Sequence, residues 1–153
     1  MTGWTSTLET GGSARCERNV MQSHAGDASL RIKDPAPGGS SYLANWNSQT
    51  VSGIKAGKNY ALSVFAKTRM LEGAAVRMQI TWLNSSGGTI SVSTSSPLSD
   101  SGYSNLDWSQ LYLKALAPTG AASAKVKLQT VGSSAGAGAG SVFFDDASLF
   151  ELH

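Results

Sequence analysis

The sequence predicts an all-β protein, a two-sheet antiparallel sandwich of the jelly-roll kind. Three observations carry that expectation. Apolar residues recur every second position in several stretches, the signature of half-buried strands. Turn-forming clusters punctuate those stretches at short intervals. No apolar stripe with the roughly 3.6-residue period of a helix runs for any useful length. About ten short strands and few or no helices leave a sandwich as the way to bury the apolar faces.

The strands read as follows. Ser13 to Arg18 is strand-like, and Ser29 to Lys33 and Ser41 to Asn47 follow it. Tyr60 to Lys67 alternates most clearly, with Tyr60, Leu62, Val64 and Ala66 on one face. Val76 to Trp82 repeats the pattern, with Val76, Met78, Ile80 and Trp82 inward, so Trp82 reads as core. Thr89 to Thr94, Gln110 to Ala115, Lys125 to Gln129 and Ser141 to Leu149 complete the set. Between them lie Asp34–Gly39, Ala56–Asn59, Asn84–Gly88 and Pro118–Gly120, all rich in Pro, Gly, Asn or Ser. Residues 133–140, alternating Ala and Gly after two serines, read as a flexible loop. If the strands of the 60s, 70s and 120s share a sheet, its outer face carries Ser63, Phe65 and Lys67, then Arg77, Gln79 and Thr81, then Lys125, Lys127 and Gln129.

Composition narrows the functions. A chain of 153 residues accommodates one domain with a real core. Only 14% of residues are charged and the net charge is +2, with Lys and Arg scattered rather than in a run. That pattern suits a neutral polar partner better than a nucleic acid. No run of about 18 apolar residues suggests a membrane-spanning helix. Met1 to Trp4 lacks signal-peptide features, and strand-like sequence from the start suggests a piece excised from a longer chain whose signal lies elsewhere. The lone Cys16 has no internal disulfide partner and reads as a small buried apolar residue. With His24 and His153 it makes too small a set for a zinc cluster or a Cys–His nucleophile.

The last strand carries the pair Asp145-Asp146 among Val142, Phe143, Phe144, Ala147 and Leu149. Aspartate is depleted from strands, and neighbouring side chains in a strand point to opposite faces. One carboxylate is therefore expected inside, where something cationic must compensate it.

Several motifs in order carry a family likeness. They are Gly3-Trp4, then His24-Ala25-Gly26-Asp27-Ala28-Ser29, Ile54 to Lys67, Ile80 to Asn84, Trp108, Ala117 to Ala121, and Phe144-Asp145-Asp146-Ala147-Ser148-Leu149. This succession resembles the carbohydrate-binding modules of the 4, 9, 16 and 22 group over nearly the whole chain. The resemblance implies a jelly roll that binds polysaccharide, without catalysis, and targets an attached secreted glycoside hydrolase or lyase. It also implies a structural calcium between the last strand and the early turn, held by Asp145 or Asp146 with oxygens around His24, Gly26 and Asp27. Alternation puts Asp145 on the side of Phe143, Ala147 and Leu149 and favours it as the ligand. The family's further ligand, from an Asn-x-x-Phe-Glu segment, has no counterpart here, and Glu9 or Glu17 would have to stand in.

A sugar site needs flat aromatic faces and planar amides. The resemblance points to Trp4 and Trp108 as platforms, Trp108 being a core plug otherwise. Trp46 reads as exposed or buried with equal justification, and Tyr103 as a loop residue overhanging a groove. Alternation makes Arg77, Gln79 and Gln129 the polar partners. The ligand class expected is a β-glucan, mannan or related glycan, bound by a monomeric, extracellular domain. Two other readings remain. An adhesion or structural sandwich would have no glycan affinity, and a small jelly-roll lyase would need a base that His24 alone could supply.

Overall fold

The structure, a computed structural model, describes residues 3–10, 14–34, 42–71, 73–99, 106–132 and 140–153. Its strands are β1 (Trp4–Thr10), β2 (Arg15–Asn19), β3 (Ser29–Asp34), β4 (Tyr42–Ser48), β5 (Val51–Ser52) and β6 (Asn59–Arg69). They continue with β7 (Ala74–Leu83), β8 (Thr89–Thr94), β9 (Leu98–Ser99), β10 (Ser109–Leu116), β11 (Ser123–Gly132) and β12 (Gly140–Glu151). No helix occurs among the described residues.

Two antiparallel sheets form a jelly-roll sandwich, as the alternation predicts. The seven-stranded sheet runs β1-β4-β11-β7-β8, with β5 paired to β11 and β9 to β7. The five-stranded sheet runs β10-β6-β12-β3-β2. The strands of the 60s, 70s and 120s therefore do not share a sheet. β7 and β11 are neighbours, whereas β6 lies in the opposing layer.

The inward faces follow the sequence pattern. Tyr60, Leu62, Val64 and Ala66 of β6 meet Val76, Met78, Ile80 and Trp82 of β7 and Val126 and Leu128 of β11 in one core. Trp82 is fully buried, edge-on to Tyr60, with its indole N–H donating to Ser93 Oγ at 2.9 Å. Burying an aromatic this large is affordable to the fold only because the polar end finds an acceptor.

The last strand departs from simple alternation. Its pairing with β6 shifts between Asp145 and Ser148, and Asp146 has φ of 48°. This is a β-bulge, one extra residue that reverses the facing of everything after it. Val142 and Phe144 face the core before it, Ala147 and Leu149 after it. Asp145 thus shares the outer face with Phe143 and not the side of Ala147 and Leu149, which corrects the expectation from unbroken alternation.

Candidate functional site

The outer face of the seven-stranded sheet is assembled by strand register. Thr7 lies opposite Asn45, and Asn45 opposite Gln129, which in turn lies opposite Arg77. The adjacent row aligns Thr5, Asn47, Lys127, Gln79 and Thr94. Five neighbouring strands therefore present amides, hydroxyls and long cations on one surface, because polar residues occupy every second position of each. Among the described residues, no aromatic side chain belongs to these rows.

The centre of this face is unusually buried for a polar surface. Gln129 is 2% exposed and Asn45 is fully buried. Gln129 Nε2 donates to Asn45 Oδ1 at 2.6 Å, and Asn45 Nδ2 donates to Glu9 Oε1 at 2.8 Å. Lys127 Nζ donates to the same Glu9 oxygen at 2.8 Å. Two atoms are left over. Gln129 Oε1, an acceptor, and Arg77 Nε, a donor, are buried and without a partner among the described residues. Buried polar atoms are nearly always paired, so an unpaired donor and an unpaired acceptor on directly opposed residues set this pair apart on the face. Gln79 Nε2 donates to Thr94 Oγ1 at 3.3 Å, at the open side of the same face.

The predicted polar partners Arg77, Gln79 and Gln129 thus come together, although Gln129 is buried where the sequence reading had it exposed. The predicted aromatic platforms do not join them. Trp46 is buried at 8% exposure, faces the core, and donates its indole N–H to the Arg31 carbonyl at 3.2 Å. Its ring has no open face for a sugar, so the platform role is withdrawn. Trp4 is half-buried against the core, beside Leu30, Leu128, Phe144 and the Asp pair. Trp108 lies by the other sheet, edge-on to His24 with ring centroids 5.8 Å apart. Tyr103 and residues 133–139 lie outside the described residues. Asn45, Asn47 and Glu9 were missed by the sequence reading. The signal was present, since Asn45 and Asn47 alternate with the apolar Ala44 and Trp46.

The residues named for calcium do meet, in a different chemistry. Asp145 Oδ2 accepts from the backbone N–H of His24 at 2.8 Å and of Ala25 at 3.2 Å. Its Oδ1 accepts from the Asp146 N–H at 2.9 Å. Asp146 Oδ2 lies 2.7 Å from His24 Nδ1, and the His24 ring stacks on Phe65 with centroids 3.7 Å apart. The two carboxylates therefore converge on one turn instead of diverging, because the bulge turns Asp146 back. The Gly26 carbonyl accepts from Ser23 Oγ at 3.0 Å, and Asp27 is an exposed turn residue. Calcium takes six to eight oxygens, whereas these carboxylates are met by N–H donors and an imidazole. Among the described residues no group of three or more His, Cys, Asp or Glu is arranged to hold a metal. In this arrangement the two carboxylates act as hydrogen-bond acceptors for the early turn.

Cys16 has no part in the polar face. It is half-buried against the core, its Sγ is 3.7 Å from the Asn45 carbonyl, and burial pushes the thiol up to about 11. A thiol held protonated is a poor nucleophile.

No family model matches the sequence, and no curated protein does. Solved structures do share the fold. A part of the bacteriophage CBA120 tailspike protein 4 enzymatically active domain matches with a TM-score of 0.70 at 16% identity, over 99% of this chain. This chain spans only 20% of the length of that one. The CBM22-1 xylan-binding domain from Paenibacillus barcinonensis Xyn10C matches with a TM-score of 0.57 at 13% identity, covering 98% of this chain and 86% of the other. A CBM4 structure matches with a TM-score of 0.56 at 15% identity, over 98% and 95%. Two antiparallel sheets in this order, matched end to end by whole domains of that kind, give the chain the β-sandwich fold of carbohydrate-binding modules.

Proposed function

We propose that this domain binds a neutral polysaccharide, without cleaving it, on the outer face of the seven-stranded sheet. The observation that carries the reading is the unpartnered pair Arg77 Nε and Gln129 Oε1. A sugar hydroxyl donates and accepts at once, so a hydroxyl answers both atoms once the two side chains turn outward to meet it. Gln79, Asn47 and Thr94 extend the same chemistry along the adjacent row. The fold likeness to CBM22 and CBM4 domains supports the same use, and a β-glucan, mannan or xylan is the expected class. A domain of this kind serves an extracellular glycoside hydrolase or lyase by holding it at its substrate.

The chemistry of the face also argues for binding alone. Glycoside hydrolysis needs two carboxylates roughly 5 to 9.5 Å apart across the bond to be cut. Among the described residues of this face the carboxylate is Glu9, and Asn45 and Lys127 already hold it. A structural sandwich inside a larger assembly is the second reading, favoured by the likeness to one-fifth of a tailspike chain.

Affinity electrophoresis against β-glucan, mannan and xylan tests the proposal. Retardation by at least one of them, abolished in Arg77→Ala with the melting temperature unchanged, is expected. No retardation on any of them would favour the structural reading, and release of reducing ends would refute the non-catalytic one.

A further inference from the structure

The opposite surface of the molecule carries a different chemistry. On the outer face of the five-stranded sheet one register row aligns Arg15, Lys33, Ser141 and Arg69 across β2, β3, β12 and β6. These residues are far apart in sequence, so the fold alone gathers them. The neighbouring row aligns Glu17, Arg31, Phe143 and Lys67. There each cation has an acid. Arg31 Nη1 is 2.7 Å from Glu17 Oε1, and Lys67 Nζ is 3.2 Å from Asp107 Oδ1.

The first row is built otherwise. Arg15 and Arg69 are exposed, Lys33 is half-buried, and none forms an ion pair among the described residues. Arg15 and Lys33 are directly opposed on adjacent strands, where like charges are destabilising. Ser141, the one uncharged member, is buried and already accepts from Arg31 Nε at 3.0 Å and Nη2 at 2.7 Å. Among the described residues the row thus holds positive charge with no acid paired to it, against its own repulsion. At its Arg69 end opens a cavity of about 370 Å³, lined by Gln22, Lys67, Thr68, Arg69, Leu106 and Asp107.

We propose that this row is a second ligand site, for an acidic polysaccharide whose rings carry carboxylates. Strands are spaced about 4.8 Å apart, so Arg15 and Lys33 are one step apart and Arg69 two steps further. A linear uronan, with one carboxylate per ring, repeats its charge at a comparable spacing. Arginine at both ends suits such groups, since the guanidinium binds a carboxylate through two parallel N–H bonds. Charge count decides against other polyanions. Tight duplex binding draws on about 6–10 phosphate contacts, and a polybasic membrane segment on about 4–8 cations, against three here. The site stands whether or not the Arg77 face binds neutral glycans, because the two surfaces belong to different sheets.

Polygalacturonate tests it, by affinity electrophoresis and calorimetry on the intact chain without added calcium. Binding is expected at about 20 mM salt and should weaken at least tenfold by about 300 mM. The triple variant Arg15→Gln/Lys33→Gln/Arg69→Gln should lose at least tenfold in affinity with an unchanged or higher melting temperature. The single Arg69→Gln should lose part of it, and Lys58→Gln, on a remote exposed turn, none. Absence of low-salt binding, or undiminished affinity in the triple variant, would overturn the proposal. So would duplex DNA or anionic phospholipid vesicles bound as tightly as polygalacturonate.

Discussion

Asp145, in the last strand, accepts a hydrogen bond at 2.8 Å from the backbone N–H of His24, 121 residues earlier in the chain. That contact, with the Ala25 N–H and the Asp146–His24 bond, fastens the final strand to the turn that leads into β3. The contact is exposed, so water can take the acceptor's place and its removal costs about 0.5–1.5 kcal/mol. Asp145→Ala should therefore lower stability by about that amount in chemical denaturation, and Asp145→Asn by less, since an amide oxygen still accepts.

The same contact bears on metal dependence. Because N–H donors already meet both Asp145 oxygens, EDTA should leave the melting temperature unchanged, and added calcium should not raise it. A fall with EDTA that calcium reverses would show that a cation enters between the aspartates and the early turn.

Arg77 and Gln129 separate binding from stability. An orphan buried donor does not help the unliganded fold, so Arg77→Met should leave the melting temperature level or slightly higher. Glycan affinity should fall at least about tenfold, equivalent to about 1.4 kcal/mol, when measured by calorimetry.

The tryptophans should divide the opposite way. Trp46 is core, and Trp46→Ala should cost about 3–5 kcal/mol through the cavity it leaves. Trp46→Phe, which fills most of that space, should fold and keep its glycan affinity, because the ring does not reach the polar face. Loss of binding in a folded Trp46→Phe would restore the platform role.

Cys16 gives a pH signature. Burial raises its thiol from 9.0 to about 11, so folding favours the protonated form. The stability this contributes is complete below pH 9 and is lost as pH rises through about 11. Denaturation midpoints should fall across that window, and less steeply in Cys16→Ala. Iodoacetamide should label the native protein slowly at pH 8 and rapidly after unfolding.

Gly140 opens β12 where another backbone crosses it. A Cβ there would lie 2.7 Å from the Met70 carbonyl oxygen and 2.8 Å from Leu71 Cα. Backbone cannot swing aside as a side chain does. Gly140→Ala should therefore destabilise by about 1–3 kcal/mol, read as a lower denaturation midpoint.

Much of this molecule is legible along the chain. The period-two runs gave the core faces of β6, β7 and β11, and put Arg77, Gln79 and Gln129 on a common polar side. Alternation could not reveal the bulge, because one left-handed residue at Asp146 inverts every later facing without changing composition. It also could not say which strands are neighbours, and so left open whether the 60s strand shares a sheet with the 70s strand. Trp46 was left undecided for a related reason. An aromatic alternating with polar residues looks the same whether its face is solvent or the opposite sheet.

Sequence alone determined that this is a β-sandwich with a sparsely charged surface rich in amides and hydroxyls. Those properties depend on side-chain periodicity and local turn chemistry, which need no partner strand. Tertiary structure decided the rest. Sheet order set Gln129 beside Arg77 and aligned Arg15, Lys33 and Arg69 in one row. The bulge brought both aspartates to His24. Each of these is a long-range pairing, fixed by how two layers bury their apolar faces together rather than by any residue's near neighbours.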